Sequence, residues 1–115
     1  MLNWLRRPDA KELGNEAFKE KNLDEAVLQY TRGLERCQGT AQTEERSKLL
    51  ANRSAAHAKR GSHVAVVTDC SSCLALEGAY VKALVRRANA LEKLGHRLEA
   101  IEDLEAAPDP KFATW

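Results

Sequence analysis

Aromatic side chains are scarce: Phe, Tyr and Trp make up 5% of the 115 residues. That leaves too few rings for the stacking platforms that hold single-stranded nucleic acid. Charge of one sign is also lacking. The 18 Lys and Arg nearly balance the 17 Asp and Glu, for a net charge of +1, so no bulk field attracts a polyanion. No apolar run approaches the length of a membrane span. The opening MLNWLRRPDA lacks the apolar stretch and small-residue cleavage site of a secretory signal. Neither nucleic acid nor membrane is therefore expected as a partner. The three cysteines are an odd number without framework spacing, which points to a reducing, cytoplasmic compartment.

Catalytic equipment is thin as well. His57, His63 and His96 have no neighbours arranged for acid–base work, and no Ser/His/Asp order or Gly-rich phosphate loop occurs. Cys70-Ser71-Ser72-Cys73 is formally C-x-x-C, but a redox motif of that kind belongs to a βαβ setting, which is missing here. Zinc wants about four ligands, and only Cys37 and His63 are candidates to join that pair. The two cysteines are better read as small packing residues. The expectation is a protein without enzymatic activity, metal or cofactor.

What the chain does have is helical periodicity. Apolar residues recur at steps of three and four: Leu23, Ala26, Val27, Tyr30 and Leu34, then Leu84, Ala88 and Leu91, then Leu98, Ile101 and Leu104. Six helices are predicted, at about 9–20, 24–37, 43–60, 63–77, 80–94 and 97–106, separated at Lys21-Asn22, Gly39-Thr40, Gly61-Ser62, Gly78 and Gly95-His96. The helices pair, and the pairs repeat. Gly61 and Gly95 lie 34 apart, as do Val66 and Ala100, Cys70 and Leu104, and Cys73 and Ala107. Ala26, Tyr30 and Gly33 match Val66, Cys70 and Cys73 at an offset of 40, the excess falling in 38–43. A 34-residue helix–turn–helix period with small residues at fixed places is a solenoid signature.

Polar residues are distributed with equal regularity. Lys11 and Asn15 form K-x-x-x-N on the first helix, Asn52 stands on the third, and Lys82 and Arg86 form K-x-x-x-R on the fifth. An i,i+4 pair projects from one helix face. Three cations and two amides aimed together suit a ligand with two carboxylates close together, such as a peptide ending in Asp or Glu. Charge agrees in part. Segments 44–60 and 80–94 each carry +3 and 97–106 carries −3, whereas 9–20 is acidic around Lys11.

The segments KELGNEAFKEKNLDEAVLQYTRGLE, LLANRSAAHAKRG and VKALVRRANALEKLGHRLEAIEDLE resemble three successive tetratricopeptide repeats. The whole is similar to the carboxylate-clamp domains of co-chaperones, of the Hsp-organising and Unc types. The resemblance implies an all-α fold: a right-handed α-solenoid of three helix pairs, with repeats at about 9–40, 43–78 and 80–107 between flanks 1–8 and 108–115. Lys11, Asn15, Asn52, Lys82 and Arg86 fall on the five positions of that clamp. Phe18, Ala55 and Lys59 fall where the family touches the peptide upstream of its terminus, although Phe18 is at least as well explained as core.

By this resemblance the protein is an adaptor for the acidic Glu-Glu-Val-Asp tails of cytosolic heat-shock chaperones 70 and 90. The alternative is a scaffold that binds an internal peptide or partner helix without reading a terminal carboxylate. The family usually adds a seventh, capping helix. Here Ala107-Pro108-Asp109-Pro110 ends the pattern, so that helix is absent or vestigial. The last apolar face is left to a longer chain, to Phe112 and Trp115, or to another molecule, self-association through the last repeat included. Trp4 lies in the other flank.

Overall fold

Asp9 starts the first helix. Its carboxylate accepts from the Glu12 amide at 2.8 Å, and the Glu12 side chain accepts from the Asp9 amide at 3.1 Å, a reciprocal capping box. Helix α1 (Ala10–Lys19) follows, then α2 (Leu23–Arg36), α3 (Thr43–Lys59), α4 (His63–Leu76), α5 (Val81–Lys93) and α6 (Arg97–Ala106). This computed structural model describes residues 8–37 and 42–107, and among them there is no strand. The six predicted helices are present, with ends displaced by at most one residue. Asn22 caps α2 through the Glu25 amide, so that helix begins at Leu23. Tyr80, in extended conformation, stands just outside α5.

Each helix packs on the next in sequence, and α3 also touches α1 and α5. The odd-numbered helices therefore form one layer and the even-numbered helices the other, in a body of 50 × 29 × 24 Å. Close approach depends on small residues. A Cβ on Gly14 would overlap the ring of Tyr30, and one on Gly33 would press on Leu49 and Ala10. The turns inside the three pairs share a device: Lys21, Gly61 and Gly95 all have positive φ, at 63°, 76° and 89°. Glycine adopts this conformation without strain, and lysine does not.

The core follows the repeat. Ala26, Tyr30 and Leu49 are buried between the first two pairs, and Val66, Cys70, Cys73 and Ala83 between the second and third. Cys70 and Cys73 are free thiols with no exposed surface. Burial pushes the Cys73 thiol up to about 11, and its Sγ donates to the Ser47 carbonyl. At neutral pH it is a protonated packing group rather than a nucleophile. On α6, Leu98 and Ile101 are 78% and 49% exposed. Among the described residues no helix covers that face. Trp4, Phe112, Trp115 and the link 38–41 lie outside the described residues.

Candidate functional site

All five polar residues singled out above stand on the odd-numbered layer, and four of them make contacts within it. Asn15 is the centre. Its Oδ1 accepts from the Tyr30 hydroxyl at 2.5 Å and from Asn52 Nδ2 at 3.3 Å. Burial raises the Tyr30 pKa, so the phenol stays a donor. With its oxygen engaged twice, the Asn15 amide turns its NH₂ outward. Tyr30 reaches this point because Gly14 leaves room for its ring.

Arg86 is held from the other side. Its Nη1 donates to the Ala51 carbonyl at 2.9 Å and to Ser54 Oγ at 3.1 Å. One arm of the guanidinium is thereby tied to α3, and Nε and Nη2 remain for a ligand. Lys82 lies one turn earlier on the same face of α5, exposed and without an ion-pair partner among the described residues. Lys11 differs: its Nζ is 3.4 Å from Glu45 Oε1, so a ligand carboxylate would compete with that glutamate. Of the three secondary positions, Phe18 is half-buried against the core around Tyr30, Ala55 is half-buried, and Lys59 is exposed. An open groove of about 570 Å³ runs on from Lys82 and Arg86, lined by Val81, Val85, Asn89 and Lys93 of α5 and by Ala58 at the end of α3.

Sequence reasoning missed the groups that position this layer. Arg53 donates from Nε and Nη2 to both oxygens of Asp69, at 2.8 and 2.7 Å, and from Nη1 to Thr31 Oγ1 at 3.0 Å. Arg87 does the same with Asp103, at 2.8 and 2.6 Å, and with Ser71 Oγ at 3.2 Å. Each is a fork-to-fork pair within one helix pair, plus one bond to a hydroxyl of the preceding pair. The two arginines lie 34 residues apart, as do the two aspartates. His57 adjoins the first of these pairs, its Nε2 3.6 Å from Asp69 Oδ2 and its buried Nδ1 without a hydrogen-bond partner. Its pKa is lowered, chiefly by burial and further by Arg53 and Arg60, with Asp69 opposing. Among the described residues no group of His, Cys, Asp and Glu could hold a metal ion.

No family model matches this chain. It is 37% identical over 106 residues to the mitochondrial import receptor subunit TOM70 of Rattus norvegicus, covering 92% of this chain and 17% of that protein. The chain thus spans about a sixth of the length of these curated relatives. Among solved structures, the second TPR of Spaghetti (RPAP3) bound to the HSP90 peptide SRMEEVD superposes with a TM-score of 0.75 at 34% identity, over 84% of this chain and 79% of that one. The TPR2B domain of yeast Sti1 in complex with pHsp70 superposes with a TM-score of 0.75 at 29% identity, over 84% and 73%.

Proposed function

Since the chain belongs to the tetratricopeptide-repeat family, we propose that it is a non-enzymatic interaction module that captures the free acidic C-terminus of a heat-shock chaperone 70 or 90. The observation that carries this reading is the junction of α1, α3 and α5. There Asn15 and Asn52 touch, and Arg86 is tied to α3 with half its fork unspent. Lys82 and Lys11 flank the junction. A terminal Asp brings two carboxylates to it at once, and an aspartate inside a chain brings one. Lys82 and the free arm of Arg86 supply charge-assisted donors, Lys11 follows once it leaves Glu45, and the two amides read the main chain. The printed ligands of the similar structures, an HSP90 peptide and pHsp70, support the choice of partner. We place the protein in the cytoplasm, where such tails are available.

The test is calorimetric titration with Ser-Arg-Met-Glu-Glu-Val-Asp as the free acid and as the C-terminal amide. The free acid should bind at micromolar strength, since a short tail loses much entropy on ordering, and the amide should bind at least tenfold more weakly. Equal binding of both would discard the clamp and leave a groove for internal peptides.

A further inference from the structure

A lysine stands four residues before a polar junction residue on all three odd-numbered helices. Lys11 precedes Asn15 on α1 and Lys82 precedes Arg86 on α5. On α3, Lys48 precedes Asn52. Lys48 and Asn52 lie 34 residues before Lys82 and Arg86, at the equivalent places one repeat earlier. The spacing of four keeps Lys48 on the face of α3 that carries Asn52.

Lys48 is exposed, and its Nζ is 3.1 Å from Glu44 Oε1. A Glu–Lys pair at that spacing is ordinary helix surface. It accounts for a lysine on α3 but not for its place, which its surroundings fix. Arg86 crosses from α5 to the Ala51 carbonyl, so α3 and α5 meet within one turn of Lys48. The Lys48 pKa is raised, first by its bond to Glu44 and also by the charges of Glu45 and Tyr80. Glu45 is the acid held by Lys11, and Tyr80 immediately precedes α5. Lys48 thus stands between the Lys11 side and the Lys82 side of the junction.

Packed helices lie about 8–10 Å apart between axes, so two lysine side chains, one from each, can converge on an anion between them. Lys48 and Lys82, at equivalent positions on touching helices, have that arrangement. We propose that Lys48 is a sixth member of the clamp, which joins Lys82 on the side-chain carboxylate of the ligand's terminal residue. This proposal rests on the clamp reading above. Glu44 is 78% exposed and passes to water when the ligand displaces it. The site then reads the terminal residue twice, by its main-chain carboxylate and by the charge on its side chain.

The experiment is a double-mutant cycle by calorimetry at low salt. One axis is Ser-Arg-Met-Glu-Glu-Val-Asp against the same peptide ending in Asn, which keeps the terminal carboxylate and loses the side-chain one. The other is the unaltered protein against Lys48→Gln, with folding checked by circular dichroism. Lys48→Gln should weaken the Asp peptide about threefold, as an exposed ion pair allows, and leave the Asn peptide unchanged. Arg32→Gln, which removes an exposed cation from α2, should leave both peptides unchanged. No loss on the Asp peptide, an equal loss on both, or a loss matched by Arg32→Gln would overturn the role of Lys48 alone. Equal binding of the free acid and its amide would overturn the clamp, and Lys48 with it.

Discussion

Glu45 occupies the place that a ligand should take on Lys11. The pair is partly exposed, with side chains 27% and 38% accessible, and such pairs contribute about 0.5 kcal/mol. Glu45→Gln should free Lys11 and tighten the acidic peptide about twofold, read by titration; weaker binding would mean that Glu45 positions Lys11 rather than competing for it. His57 gives a pH dependence of the fold itself. Its folded pKa is lowered, chiefly by burial, so the folded state holds it neutral while the unfolded chain protonates near pH 6.5. Stability is full above that value and falls as the pH drops below it. Melting temperature should decline by a few degrees between pH 7.5 and 5.5, and His57→Gln should flatten the decline.

At the level of helices, two close contacts decide whether the pairs fit. Gly14→Ala gains about 1 kcal/mol in helix propensity and loses about 1–3 kcal/mol to overpacking against Tyr30. The net effect should be destabilising by about 1 kcal/mol, with weaker peptide binding because the Tyr30 hydroxyl leaves Asn15. Tyr30→Phe keeps the packing and removes only that bond, so it should weaken binding with little change in denaturation midpoint. Asp69→Ala strands the half-buried Arg53 and should cost about 2–3 kcal/mol in chemical denaturation.

Helix ends and pairing were legible in sequence because caps, glycine turns and apolar spacing are local. The Arg53–Asp69 and Arg87–Asp103 forks were not, although their 34-residue recurrence was available. They join residues 16 apart across a turn, and a reading aligned on small apolar positions passes over a charged pair. The contact of Lys11 with Glu45 joins different pairs and has no sequence signature at all. Sequence shows the acidic surroundings of Lys11, but not which acid reaches it.

For the whole molecule, the repeat makes stability nearly one-dimensional, each helix supported by its neighbours. Helix α6 has a neighbour on one side only among the described residues, and Leu98 and Ile101 face outward. Its amides should therefore exchange hydrogen well before those of α3 and α4, measured by mass spectrometry. Uniform protection across the six helices would show that something covers it.

The arginine forks also give the stack a direction. Arg53 and Arg87 each reach back to a hydroxyl on the preceding pair, Thr31 and Ser71. In the first pair the corresponding residues are Leu13 and Gln29, and Gln29 turns to its own helix at Glu25. That pair makes no backward reach. In the last pair the position of Thr31 and Ser71 is held by Glu105, exposed and without a partner among the described residues. Among the described residues the array thus begins without a fork. At its last described pair it presents a carboxylate where the earlier pairs present a hydroxyl, a stronger acceptor for a guanidinium than either.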